Sequence, residues 1–151
     1  MDNLEGVFSN NLVLALVLVA AAIMLNRSMP RWTAGCPFIS PKDAEKKIDK
    51  TPGIVVLDVR TEAEYSGKKG HIPGAVNLPM AEVALRLESI EKKLSNLKDQ
   101  PILIHCAAEG RAAKVAKRLR KAGFSDLSVI QGGFSAWRRA DLPVEVEEKE
   151  G

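Results

Sequence analysis

Hydrophobic positions along this chain fall into three patterns. The first is an unbroken apolar run from Leu12 to Leu25, with no polar face at any helical angle. The second is a set of short runs, Ile54-Val55-Val56-Leu57, Ile102-Leu103-Ile104 and Leu127-Ser128-Val129-Ile130. Runs of this kind are strands buried on both faces, as in a parallel sheet. The third pattern has helical spacing. Ala112, Val115, Ala116, Leu119 and Ala122 line one side of a segment whose remaining positions include Arg111, Lys114, Lys117, Arg118 and Lys121. Val83, Leu87, Ile90, Leu94 and Leu97 predict another, longer amphipathic helix.

Polar and turn residues divide these elements. Pro37-Phe38-Ile39 reads as a short edge strand. Ser40-Pro41-Lys42-Asp43 predicts an N-cap with proline at the first helical position. That helix runs to about Lys50, with Ala44, Ile48 and the stem of Lys47 inward, and Thr51-Pro52-Gly53 ends it. Thr61 caps a short helix through Tyr65. Gly67 and Gly70 break the chain before His71-Ile72-Pro73-Gly74, and Ala75 to Pro79 is another short strand. Gly132-Gly133 is a turn, Phe134 to Arg139 a short helix carrying Trp137, and Leu142 to Val146 closes the unit. Strands alternating with helices imply an α/β fold, with a central parallel sheet between two helical layers. Ligands in such sheets bind beyond the carboxyl ends of the strands.

The apolar run stands outside that alternation. Val7 and Phe8 extend it forward, and Val7 to Leu25 as a helix covers ~28 Å, close to the hydrocarbon thickness of a bilayer. Asp2 and Glu5 precede it, without the Lys or Arg of a secretory signal. Arg27, Arg31 and Trp32 follow, a suitable interfacial set. The expectation is one uncleaved N-terminal transmembrane helix in the inner (cytoplasmic) membrane. Basic residues stay on the cytoplasmic side, so the rest of the chain faces the cytoplasm. Asn26 to Gly35 reads as linker. Thr33-Ala34-Gly35-Cys36 faintly resembles a lipoprotein cleavage site, but Arg27, Pro30 and Arg31 separate it from the apolar run. The resulting division is residues 1–32 as anchor and linker, 33–146 as one α/β domain, and 147–151 as an acidic tail.

A chain of 151 residues with net charge +3 gives no argument for nucleic acid as a partner. Cys36 and Cys106 do not form a disulfide framework. Cys106 has the more telling context: Pro101-Ile102-Leu103-Ile104-His105-Cys106-Ala107-Ala108-Glu109-Gly110-Arg111 reads as strand, loop and helix. A cysteine at a strand's end facing a helix N-terminus sits among unpaired N–H groups, which favour thiolate over thiol. Ala107, Ala108, Glu109 and Gly110 can curl around the sulfur as an anion nest, and Arg111 adds a fixed positive charge. Asp58 and Arg60 end another strand and approach the same rim. His105 points away from Cys106 if the strand alternates, as a packing residue rather than a base.

Asp58-Val59-Arg60, Glu64-Tyr65, Gly70 to Ala75, Asn77-Leu78-Pro79, Cys106 to Arg111, and Gly132-Gly133 with Trp137 together resemble the rhodanese domain, from about Pro37 to Val146. The apolar N-terminus is similar to that of membrane-anchored single-domain rhodaneses of bacteria. The resemblance implies a rhodanese-like three-layer α/β fold and a sulfurtransferase of the thiosulfate sulfurtransferase class. Cys106 matches the nucleophile that carries sulfane sulfur as a persulfide. Ala107, Ala108, Glu109, Gly110 and Arg111 match the substrate-binding loop. Asp58, Arg60 and His71 match residues that shape or buttress the site. The implied partners are a small sulfur-donor anion or a protein persulfide, a thiol acceptor, and the membrane. No cofactor and no metal are implied.

One position departs from the family's pattern. Glycine is often fourth in the loop, and here Glu109 is fourth and Gly110 fifth. A carboxylate beside the sulfur opposes thiolate formation and repels thiosulfate unless it points to solvent. Two other classes are weighed against the sulfurtransferase. His105-Cys106 followed by Arg111 resembles the signature of a phosphatase or arsenate reductase, although that signature has five residues between Cys and Arg and this loop has four. A non-catalytic membrane-tethered binding module is the other.

Overall fold

The computed structural model describes residues 4–93 and 95–147, with side chains described for 11–25, 31–92 and 95–147. Five strands make one sheet: β1 (Phe38–Ile39), β2 (Val55–Asp58), β3 (Val76–Asn77), β4 (Ile102–His105) and β5 (Leu127–Ile130). Their order is β1-β5-β4-β2-β3, and every pairing is parallel. The strands β5, β4 and β2 lie inside the sheet, and β4 and β5 are buried throughout. The short strands β1 and β3 form the edges.

Alternation along the strands sorts side chains onto two faces. Leu57, Ile102, Ile104, Leu127 and Val129 join one core with Val83, Ile90, Val115, Ala116 and Leu119. These come from the helices α4 (Met80–Leu85), α5 (Leu87–Lys93) and α6 (Gly110–Lys121). Val56, Leu103 and Ile130 point the other way, to Ala44, Ile72, Phe134 and Trp137. That layer holds α2 (Pro41–Lys50), α3 (Glu62–Tyr65) and α7 (Gly133–Arg139). The α/β three-layer architecture with a central parallel sheet is therefore the one expected.

Several local expectations hold for visible reasons. Ser40 caps α2 by accepting from the Asp43 N–H, with Pro41 at the helix start. Thr61 and Glu64 form a complete capping box on α3. Ala44 is buried, while the Lys47 ammonium donates to Ser128 Oγ at 3.3 Å. Leu142 to Val146 returns to the core, where Glu145 and His71 exchange backbone hydrogen bonds of 2.9 Å.

Two expectations are corrected, and a third is not shown. The long helix expected over Val83–Leu97 is broken into α4, α5 and a 3-10 turn at Ser95–Leu97, because Arg86 leaves the helical conformation at the C-cap of α4. Leu94, expected on its inner face, lies outside the described residues. The segment 26–35 is not a linker. The helix α1 (Leu4–Ala34) continues through it and docks its last turn on the domain, burying Ala34 in the core beside α6. Finally, among the described residues no helix is long and apolar enough to cross a membrane. The transmembrane helix expected from Val7 begins where side chains are not described, and the described apolar part of α1 starts at residue 11. Within that part, Leu12, Leu16 and Leu18 are each more than 60 % exposed.

Candidate active site

Cys106 follows β4 directly and is 2 % exposed. Strand alternation sends its side chain into the core layer of α6, and sends His105 to the opposite layer, where its ring lies 6.1 Å from that of Phe134. The loop from Ala107 to Glu109 then enters α6 at Gly110.

The geometry behind the loop decides where its N–H groups face. Two left-handed residues, Gly132 (φ 68°) and Gly133 (φ 58°), start α7 so that it abuts the loop. Phe134 N–H donates to the Cys106 carbonyl at 2.7 Å, and Ser135 N–H to the Ala107 carbonyl at 3.0 Å. Both carbonyls are thus turned toward α7. In a trans peptide the following N–H points the opposite way, so the Ala107 and Ala108 N–H groups face away from α7. The first N–H groups of α6 have no intrahelical acceptor and add to them. The arrangement is a cradle of donors at the strand's carboxyl end, suited to an anionic sulfur. A Cβ on Gly133 would overlap the carbonyl oxygens of Ala108 and Cys106, so only glycine permits this approach.

Asp58 and Arg60 form a buried pair next to the loop. Arg60 Nη2 donates to Asp58 Oδ2 at 2.6 Å, and Arg60 Nε lies 2.9 and 3.0 Å from the two carboxylate oxygens. The guanidinium also donates to the carbonyls of Glu64 (3.2 Å) and Gly70 (3.0 Å), and packs 4.1 Å from the centre of the Phe134 ring. It thereby ties the segment 64–70 to α7. A buried pair with these extra bonds has its desolvation offset by satisfied donors. His71 stacks on Tyr65 at 3.8 Å, and its Nδ1 is 3.3 Å from the Tyr65 carbonyl. None of these three is an exposed acid or base; they hold the chain around the site.

His105 is fully buried, and neither ring nitrogen reaches a hydrogen-bond partner among the described residues. Its Nε2 lies 3.6 Å from Asp58 Oδ2. Burial pushes its pKa down to about 4, against a smaller upward pull from Asp58, so the ring is neutral at physiological pH.

The charges at the loop differ from the sequence expectation. Arg111 does not present a bare positive charge to the sulfur. Its guanidinium is engaged by both oxygens of Glu64, at 2.7 and 2.8 Å. This pairing holds Glu64 down at about 2 and raises Arg111, with Cys106 a weaker contributor to Arg111. Glu109 is not turned to bulk solvent. Its carboxylate accepts from Arg31 Nη2 at 2.8 Å and Nε at 3.1 Å, and from the Gly132 N–H at 2.7 Å. Sequence reading missed Glu64 and Arg31 as partners of the loop. The Thr61-x-x-Glu64 spacing signals the cap but not the second role of Glu64. Arg31 is read as a membrane flank, and no local pattern connects it to residue 109.

An open cavity of about 1040 Å³ adjoins the loop, lined by Met24 and Arg31 of α1, Ala108 to Gly110, Gly132, and Ser135, Ala136 and Arg139 of α7, among others. Cys106 itself does not line it. Cys36 is half-buried on the α6 side, where burial pushes its thiol up, and both cysteines are free. Among the described residues no group of His, Cys, Asp or Glu is placed to hold a metal ion.

Comparison with known proteins places this geometry in context. The sequence profile of the Rhodanese-like domain matches residues 40–140. A protein of Allochromatium vinosum named Sulfurtransferase is 28 % identical over 106 residues, spanning 70 % of this chain and 92 % of that one. The uncharacterized protein YibN of Escherichia coli (strain K12) is 30 % identical over 129 residues, 85 % of this chain and 83 % of its own. The solution structure of the Rhodanese-like domain of the Anabaena protein Alr3790 superimposes with a TM-score of 0.62 at 26 % identity, covering 76 % of this chain and 85 % of that one.

Proposed function

The chain belongs to the rhodanese-like domain family, and from that membership we propose that it is a sulfurtransferase carrying sulfane sulfur as a persulfide on Cys106. The observation that carries the reading is the donor cradle. Cys106 directly follows a central strand, and α7 takes the carbonyls of residues 106 and 107, leaving N–H groups for a charged sulfur.

The reaction divides into two displacements. The Cys106 thiolate attacks the outer sulfur of thiosulfate. A bond forms between Sγ and that sulfur, the sulfur–sulfur bond of the donor breaks, and its electron pair leaves with sulfite. An acceptor thiolate then attacks the outer sulfur of the persulfide, and the Cys106 thiolate departs with its electron pair. Electrons balance without an external oxidant. Through both steps negative charge stays near the cradle, where fixed dipoles stabilise it without reorganisation. A low-molecular persulfide or a protein persulfide serves as donor by the same displacement, and cyanide or another nucleophile as acceptor. Glu64 and Arg111 form a neutral pair beside the site, and Asp58, Arg60 and His71 support it. The test is intact mass after incubation with thiosulfate. Wild type gains one sulfur, Cys106→Ser gains none, and absence of the gain in wild type refutes the reading.

The apolar part of α1 has its own role in this proposal. Apolar side chains exposed on every side of a helix need a nonpolar environment. The acidic residues before the run and Arg27 and Arg31 after it support a single-pass anchor in the inner membrane, with the domain on the cytoplasmic side. A C-terminal reporter active outside the cytoplasm, or a mature N-terminus at Cys36, refutes this topology.

A further inference from the structure

The family profile begins at residue 40, yet one side chain from before it reaches the active loop. Arg31, in the last turn of α1, makes a two-point contact with Glu109 at 2.8 and 3.1 Å. A cation in a helix's last turn is favoured by the helix dipole, and Arg31 also lies 5.9 Å from the centre of the Phe38 ring. The carboxylate is more enclosed than its partner, with 15 % of the side chain exposed against 45 %. Its Oε1 accepts in addition from the Gly132 N–H, in the turn that sets α7 against the loop. Glu109 is therefore fixed between a helix that precedes the profile-matched residues and the backbone that shapes the cradle.

The chemical consequence follows from charge. Glu109 is the acidic residue within the loop, and an unneutralised carboxylate there repels a doubly charged donor. With Arg31 against it, the pair is neutral, and Arg139 leaves the adjoining cavity with a positive wall. We propose that Arg31 is a positioning and specificity residue: the end of α1 holds and neutralises Glu109, and so opens the site to small anionic sulfur donors of the thiosulfate class. The donor class rests on the sulfurtransferase reading above; the charge gating of Cys106 does not, and the two are tested separately.

The experiment uses the full chain and two alkylating reagents of similar size and the same leaving group, anionic iodoacetate and neutral iodoacetamide. Modification of Cys106 is followed by peptide mass, which separates it from Cys36. The ratio of the two rates reports how easily an anion approaches, because changes in loop mobility or sulfur nucleophilicity act on both reagents. Removal of one partly screened charge near the path gives a ~3–10-fold effect. Arg31→Ala lowers the iodoacetate-to-iodoacetamide ratio by that factor, and Glu109→Gln raises it. The Arg31→Ala/Glu109→Gln double variant returns toward wild type. Arg31→Lys falls between, since lysine keeps the charge but loses the two-point geometry. An unchanged ratio in Arg31→Ala overturns the proposal. So does a loss that persists in full in the double variant, which would mean Arg31 acts without Glu109. A wild-type Cys106 closed to both reagents overturns it too, since the proposal requires an open path. Thiosulfate loading of wild type, measured in parallel, decides the sulfurtransferase reading independently.

Discussion

Gly133→Ala tests the contact on which the cradle depends. Gly133 has φ 58°, and its new Cβ would meet the carbonyls of Ala108 and Cys106 from behind. Gly74, at φ 73°, has nothing within 4 Å of the same construction and supplies the control. Both alanines carry the left-handed penalty of ~1–2 kcal/mol, offset by ~0.4–1 kcal/mol from a stiffer unfolded chain. Gly74→Ala therefore costs roughly 0–1.6 kcal/mol. Gly133→Ala must also part α7 from the loop by roughly 1 Å to restore an ordinary C···O contact of ~3.3 Å. That movement takes the bonds from Phe134 and Ser135, now 2.7 and 3.0 Å, out of range or to its edge. Two such bonds contribute ~0.5–1.5 kcal/mol each, which with the left-handed cost gives a total loss of about 1–5 kcal/mol. A domain of ordinary stability, ~5–15 kcal/mol, survives this. Urea unfolding followed by tryptophan fluorescence reads it, since Trp137 is buried on α7 while Trp32 is exposed. Sulfur loading should fall ~100-fold, because a displacement near 1 Å at the reacting centre has that scale. If Gly133→Ala loses no more stability than Gly74→Ala, or loads sulfur at the wild-type rate, the account of the cradle is wrong.

Other expectations are smaller in scope. An aryl phosphate should not be turned over by Cys106, because four residues rather than five lie between Cys106 and Arg111 and the nearby acids Asp58 and Glu64 are, among the described residues, held in ion pairs; robust Cys106-dependent phosphate release would show the opposite. Glu64→Gln should speed iodoacetate modification of Cys106 a few-fold by unmasking Arg111, and Arg111→Ala should slow it. Equal effects of the two substitutions in one direction would refute the charge argument. Stability should fall between pH ~6.5 and ~4, because the unfolded His105 takes up a proton while the folded ring, held at about 4, does not. The full difference is about 3–4 kcal/mol at ~1.4 kcal/mol per unit, and His105→Phe should remove this slope in a pH series of urea midpoints. A separate decline from pH ~4.5 toward ~2 belongs to Glu64; its side chain is 37 % exposed, so its contribution is at most ~1 kcal/mol.

Much of this molecule is determined locally and is therefore legible in the sequence. Apolar runs buried on both faces define β2, β4 and β5, since no other element covers them so well. Ser40 with Pro41, and Thr61 with Glu64, mark helix starts through bonds spanning three residues. Alternation sends His105 and Cys106 to opposite layers of the sheet. The placement of a cysteine at a strand's end before a helix is equally a local fact. Apolar spacing alone misleads at Val83–Leu97, where the stripe continues across a chain that leaves the helix at Arg86.

What only the tertiary structure decides is which charges meet. Arg111 lies 47 residues from Glu64, and Arg31 lies 78 from Glu109. No periodicity links such positions, because the helix and strand repeats extend over a few residues only. The expectation of a bare arginine and an opposing carboxylate at Cys106 came from reading neighbours in the chain as neighbours in space. Although α3 and α6 lie in opposite layers, the fold brings the Glu64 side chain to Arg111, and it brings the end of the unbroken α1 to the loop, so each charge acquires a partner from elsewhere. Electrostatic energy depends on separation through space, and that is fixed only when the layers pack.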